Sequence, residues 1–450
     1  MSSTTASVPE VPEVPGVAGV AGVAGVAGVG VAGVGVAGVG VAGVGVAGVG
    51  ALVRDRATWL AYLQMAAYGY FLYSFTPTIP LLGRDEGISQ AVAALHGTAL
   101  AAGAVLAGLF GPLLVRRLGR SRLLTVSVLG LGVGALGYAS VPQLAITLTA
   151  AVLAGTCGSM VVNTTSTALS ARHGAAGPNA LSEANALAAG MGVAGPAVVG
   201  GCVALGLGWR LGLWLVAGLA GLLALAARNT TTSGSQPEPA PAAGAMPRGF
   251  WPAWTVLVLC VAIEFVTTIW SSQLVREHAG LSTGAATAAV TAVIAGMTLG
   301  RAAGGRMTLG RAEGGRLARG RAAGGHLARG RSPEALLIAT MLVALGGFAM
   351  VWVSTVPAVA VAGLFVVGLG ISLQFPLNVV RLIAASAGRA DRAVARGSLG
   401  AGLAIAVAPF GLGTLADRVG VHTAFLVMPG LLAAAGAMVL SSRRSAPAPR

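Results

Sequence analysis

The sequence predicts an all-α membrane protein of twelve transmembrane helices in two pseudo-symmetric six-helix halves. Three observations predict it. The chain is 55% hydrophobic and only 9% charged, with a mean hydropathy of +0.83, whereas soluble domains carry about 25% charged residues. Twelve segments are apolar and long enough to cross a bilayer, which takes roughly 20 helical residues. The third observation is that the second set of six repeats landmarks of the first.

The segments are placed near residues 57–82, 90–115, 123–141, 144–170, 180–206, 209–227, 251–273, 284–300, 334–353, 357–385, 393–415 and 421–441. Trp59, Trp209, Trp251 and Trp254 stand at segment ends, where amphipathic rings favour the membrane interface. Ahead of the spans, residues 1–56 form a tail in which Val-Pro-Glu repeats give way to Gly-Val-Ala repeats up to Gly50. Each glycine costs about 1 kcal/mol against alanine inside a helix, so a disordered low-complexity tail is expected rather than a further span. The tail has neither the basic start nor the compact apolar core of a signal peptide.

All 28 basic residues are arginine, and sorting them by side explains the net charge of +15. With the N-terminus inside, Arg84, Arg210, Arg276 and Arg418 fall outside, Arg381 lies within a helix, and the rest are cytoplasmic. That asymmetry fixes the expected orientation, with both termini in the cytoplasm and the protein multi-pass in the plasma (inner) membrane. The basic loops carry no interleaved aromatics, so nucleic acid is not an expected partner. The absence of lysine removes P-loop and Schiff-base chemistry.

Residues 57–228 hold the first six spans, and residues 229–250 form a polar, proline-rich cytoplasmic linker. Residues 251–441 hold the second six, and residues 442–450 a cytoplasmic tail. Gly87 matches Gly280 and Gly103 matches Gly296 at one offset, whereas Gly155 matches Gly368 and Pro196 matches Pro409 at a larger one. The change has a visible source in Arg/Gly decapeptide repeats over residues 297–331. Two decapeptides look inserted there, and they are expected to lengthen a cytoplasmic turn.

Polar stripes within the spans are the candidate functional residues. On the seventh span Glu264, Thr267, Thr268 and Ser271 fall on one helical stripe in an otherwise uncharged run. A carboxylate at membrane depth must face protein or water. On the fourth span Ser159, Asn163, Thr167 and Ser170 make a similar stripe, and on the tenth Gln374, Asn378 and Arg381 do so. The first span is aromatic, with Tyr70, Ser74 and Pro77 on one face. Interhelical hydrogen bonding is the alternative reading of every stripe. Substrate-cavity residues are therefore expected at Tyr70, Ser74, Asn163, Thr167, Glu264, Thr268, Ser271, Gln374, Asn378 and Arg381. Glu264 and Arg381 are read as the full charges deep in the spans, and a mutual ion pair is expected. Glu264, Arg381 and His96 are the candidates for ion coupling, although a satisfied interhelical hydrogen bond is the favoured reading of His96.

Two six-span halves joined by a long cytoplasmic linker resemble the major facilitator superfamily over about residues 57–441. The basic turn Gly111 to Arg122 looks like that family's loop between its second and third helices, with Val115 or Arg116 where the family usually has Asp. Gly195-Pro196 is similar to the family's antiporter motif on the fifth helix. Gly413-Thr-Leu-Ala-Asp417-Arg418-Val-Gly420 looks like a fuller copy of the loop motif, but between the last two spans and outside, where it reads as a turn. Glu264, Trp270, Gly280-Leu-Ser282 and Gly300-Arg301 look like the fucose-permease-like branch, whose carboxylates on the first and fourth helices are missing here. The resemblance implies that helices one, four, seven and ten surround a central cavity.

Other chemistry falls away. Gly132-Val-Gly-Ala-Leu-Gly137 and Gly190-Met-Gly-Val-Ala-Gly195 match a dinucleotide fingerprint but lie inside apolar spans, so they read as packing glycines. Cys157, Cys202 and Cys260 are scattered, and no cofactor or metal is expected. The sequence thus predicts a non-enzymatic secondary carrier working by alternating access on a small-molecule substrate, with a coupling proton, in a lipid bilayer as a monomer. Export of apolar or amphiphilic compounds is the first option, and uptake of a small polar, anionic or sugar-like solute the second. A non-transporting scaffold or sensor is the alternative of another class.

Overall fold

The computed structural model describes residues 52, 54–228, 245–317 and 333–444. The expected tail before residue 52, most of the linker and the last decapeptide copies lie outside the described residues.

The first half contains α1 (Arg56–Asp85), α2 (Gln90–Leu118), α3 (Arg120–Ser140), α4 (Leu144–His173), α5 (Gly177–Ala204) and α6 (Arg210–Ala227). The second contains α7 (Phe250–His278), α8 (Thr283–Leu317), α9 (Pro333–Val353), α10a (Pro357–Ile371) with α10b (Gln374–Ala384), α11 (Ala390–Val419), and α12a (Val421–Ala424) with α12b (Val427–Arg444). Among the described residues, 11 helices are long and apolar enough to span a membrane. α1 is not one of them, because tyrosines, hydroxyls, Pro77 and Pro80 dilute its hydropathy, yet it is buried on nearly every side at the centre of the bundle.

The repeat is visible in atomic detail. A Cβ on Gly103 would sit 2.2 Å from the Val152 carbonyl, and one on Gly296 2.2 Å from the Phe365 carbonyl. A Cβ on Gly155 would meet the Leu100 carbonyl at 2.1 Å, and one on Gly368 the Val293 carbonyl at 2.1 Å. Thus α2 crosses α4, and α8 crosses α10a, through the same glycine-to-backbone contact. Gly87 and Gly280 both have positive φ, 63° and 70°, and each precedes a serine that caps the next helix.

Three differences from the expectation concern elements. α8 continues to Leu317, so the first two decapeptides prolong a helix instead of a turn. The tenth span is broken at Ser372–Leu373. Trp209 is 4% exposed and donates to Asp85 at 2.9 Å, so it joins α6 to the end of α1 instead of marking the interface. Trp59 and Trp251 are exposed as expected.

The halves meet chiefly along α5 with α8, α2 with α11, and α1 with α7, and α1 also touches α8. Their close approaches gather at the end that carries the α1–α2 and α7–α8 turns. There Gly200 and Gly284 bring α5 and α8 backbone to backbone, and Gly413 lets α11 lie against the Gln90 carbonyl.

Candidate functional site

Glu264 is 4% exposed on α7, and the ion pair within reach of its carboxylate comes from Arg301 of α8, whose Nη2 lies 3.7 Å from Oε1. The same guanidinium donates from Nε to the Ser372 carbonyl at 3.2 Å, at the break between α10a and α10b. The local sequence explains this arrangement. Carbonyls in the last turn of a helix lack intrahelical donors and attract cations. Gly300 admits α10 to that distance, since a Cβ there would stand 2.2 Å from Ser372 Oγ. Gly300-Arg301 is thus one device, in which the glycine makes space and the arginine uses it.

The third member comes from the other half. The Tyr73 ring of α1 lies in the field of both Arg301 and Glu264. Gly192 of α5 makes room for its ring, since a Cβ there would stand 2.5 Å from Tyr73 Cδ2. Tyr73, Glu264 and Arg301 therefore join α1, α7 and α8 at the contact between the halves.

The expected pair of Glu264 with Arg381 is not formed. Arg381 lies 3.9 Å from Glu334 of α9 and donates to Asn378 Oδ1 at 3.1 Å and Ser442 Oγ at 3.2 Å. Asn378 donates to the Gln374 carbonyl at 2.9 Å and to Cys260 Sγ at 3.3 Å. The reason is depth. Asn378 is level with Cys260, one turn before Glu264 on α7, and Arg381 lies a further turn away on α10b, which leaves roughly two turns of about 5.4 Å between the charges.

The remaining predicted residues divide. Tyr70 donates to the Gly212 carbonyl of α6 at 2.9 Å, and Ser74 packs on Gly195 of α5, so both are turned into their own half. Thr167 and Thr268 bond to carbonyls of their own helices, and Thr267 also reaches Met428 of α12b. Asn163 Oδ1, Ser271 Oγ, Gln374 Oε1 and Glu264 Oε1 are buried without a hydrogen-bond donor among the described residues. His96 is fully buried, bonded to Thr147 of α4 at 2.8 Å and to the Ala93 carbonyl at 2.9 Å, and edge-on to Tyr138. That is an interhelical hydrogen bond within the first half. The GxGxxG glycines also pack helices, as at Gly134 against the Ala150 carbonyl.

Sequence reasoning missed Arg301 and Tyr73. Arg301 directly follows the eighth span and reads as the first cytoplasmic residue, although an arginine stem spans about a helical turn and can reach back along it. Tyr73 lies one position off the face that holds Tyr70 and Ser74.

A family model described as the Major Facilitator Superfamily matches residues 58–328. The chain belongs to this superfamily. It is accordingly a non-enzymatic secondary transporter of small molecules, multi-pass in a lipid membrane. Among solved structures it is similar to a bacterial homolog of the human lysosomal transporter Spinster in an inward-facing, occupied conformation. The TM-score is 0.67 at 13% identity, covering 88% of this chain and 100% of that one. A variant of the nucleoside transporter NupG gives 0.67 at 12% identity, covering 86% of this chain and 98% of that one. At such identities the likeness is one of fold. No curated protein matches the chain.

Proposed function

We propose that this transporter is coupled to protons through Glu264, with Arg301 as its counter-charge and Tyr73 as its contact in the opposite half. The observation that carries this reading is the 3.7 Å Glu264–Arg301 pair, which is buried at the junction of the halves and leaves Oε1 without a hydrogen bond. A carboxylate at this depth persists either beside a cation or protonated. Protonation of Glu264 frees one side of the guanidinium while Ser372 still anchors the other. Arg301 can then take an anionic or strongly accepting group of a solute, so proton and solute are linked through one arginine.

The solute class in this reading is a small polar or anionic molecule, bound also by Asn163, Ser271 and Gln374. Export of an amphiphilic compound is the second reading, favoured by Gly195-Pro196. The aromatic first span supports it less, because Phe75 packs at a tilt between Phe71 and Tyr138 inside the first half. With both termini cytoplasmic, the end where the halves meet is the outer one, and the conformation is open inward.

Screening cells that lack or overproduce the protein for metabolite accumulation and compound sensitivity identifies the solute. In proteoliposomes Glu264→Gln is expected to abolish accumulation driven by a pH gradient while solute exchange continues. Gradient-driven accumulation that survives in Glu264→Gln refutes the coupling role. Arg301→Lys is expected to keep the charge but lose solute affinity, because a single ammonium cannot hold Ser372 and a ligand in a fixed fork.

A further inference from the structure

The motif Gly413 to Gly420 has no part in the site above, and its geometry gives it another task. Asp417 lies at the outer end of α11, in the second half. Its two carboxylate oxygens accept the backbone N–H groups of Gln90 at 2.9 Å and Ala91 at 3.0 Å, in the first turn of α2 in the first half. Ser89 accepts the next free amide, Val92 N–H, at 3.3 Å. The opening amides of α2 are thus satisfied partly by its own half and partly by the other. Gly413 stands one turn before Asp417 on the same face, and a Cβ there would be 2.8 Å from the Gln90 carbonyl and 3.1 Å from the Trp270 ring. Glycine brings the helices together and aspartate caps across the gap.

The pseudo-symmetric seam lacks the carboxylate. At the larger repeat offset Gly413 corresponds to Gly200, where a Cβ would stand 2.5 Å from the Gly284 carbonyl at the start of α8. Asp417 then corresponds to Ala204, whose backbone N would lie 2.8 Å from a Cβ on Gly284. At both seams a glycine of one half lies on the first turn of a helix of the other, and only the α2–α11 seam carries the capping carboxylate. At the inner end, the α2–α3 turn from Gly111 to Arg122 contains four arginines and no acidic residue.

We infer that Asp417 is a latch between the halves, a helix-capping carboxylate that holds the outer gate shut and biases the carrier toward its inward-open state. The inference rests on the alternating-access reading for its directional sense only. When the halves part at the outer end, Gln90 and Ala91 lose a charged acceptor aligned with the α2 dipole and exchange it for water. The α2–α3 turn at the inner end, with no acidic residue, offers no such carboxylate to the opposite half.

Spin labels at Gln143 and Thr355, both exposed in outer-end turns of opposite halves, report the gate directly. The protein is full-length in nanodiscs, with Cys157 and Cys202 replaced by serine and the buried Cys260 retained. Pulsed dipolar distances in Asp417→Ala are expected to show the ratio of outer-open to outer-closed molecules raised by about three- to tenfold over the parent, the scale of one cap and its dipole term. Adding Ala204→Asp, which builds the missing cap on the α8 seam, is expected to restore the parental ratio. Unchanged distances in Asp417→Ala overturn the latch, and so does a shift that Ala204→Asp fails to reverse. Should Asp417→Ala not fold, the isosteric Asp417→Asn and the added cap still decide it. Because the readout needs neither solute nor pH gradient, a population shift upholds the latch even where Glu264→Gln leaves gradient-driven accumulation intact and refutes the coupling reading.

Discussion

Two arginines of the second half do different work because of what stands beside each. Arg381 is held by Glu334, Asn378 and Ser442 on three helices of one half, so it fastens α10b to its neighbours. Arg301 shares a carboxylate, a helix-break carbonyl and a tyrosine of the opposite half. A third residue, Asp55, starts α1. It accepts the Thr58 N–H at 2.9 Å and pairs with Arg172 of α4. The Arg172 hydrogen bond, with the Thr58 amide, holds its carboxyl well below the usual range. Because the folded value is depressed, its stabilisation is complete above the ordinary aspartate pKa near 3.9 and is lost as pH falls through the depressed value. Asp55→Ala is expected to destabilise the first half by about 1 kcal/mol at neutral pH, the usual value of an N-cap, with the difference narrowing in acid. Thermal unfolding in detergent across pH checks this, and a constant difference down to strongly acidic pH contradicts it.

At the scale of elements, glycine placement decides how closely helices lie. Gly155→Ala drives a methyl into the Leu100 backbone at 2.1 Å, and the α2–α4 crossing cannot yield without moving a whole helix. A loss of about 1–3 kcal/mol is expected, as for other overpacked cores. Gly218→Ala on α6 meets nothing within 4 Å and is expected to be neutral or to gain up to about 1 kcal/mol from helix propensity. Unfolding midpoints of the two variants, side by side, separate packing from propensity. The break in α10 belongs to the same scale. Its carbonyl at Ser372 is exposed to Arg301 only because α10a stops at Ile371.

At the scale of the whole molecule, rocking requires seams that close without side chains in the way. Gly284→Val is expected to wedge the α5–α8 seam, where even a Cβ would stand 2.8 Å from the Gly200 carbonyl. The prediction is a folded protein with lengthened outer-end distances and no net transport, measured by the same label pair and by uptake into proteoliposomes. Normal turnover would mean that this seam does not move.

The sequence by itself determined the helices, their approximate ends, the two-fold repeat and the polar stripes, because each of these is a local or periodic property that lipid enforces on a chain. It also marked Glu264, since one carboxylate in an apolar run is conspicuous without any fold. Only the tertiary structure decided partners. Glu264 meets Arg301 instead of Arg381 because helix depth, not residue type, sets which charges can touch. Tyr70 and Ser74 turn inward while Tyr73 meets the other half, a difference of one residue in helical phase. Asp417 caps a helix more than three hundred residues away in the chain, and hydropathy carries no record of that contact.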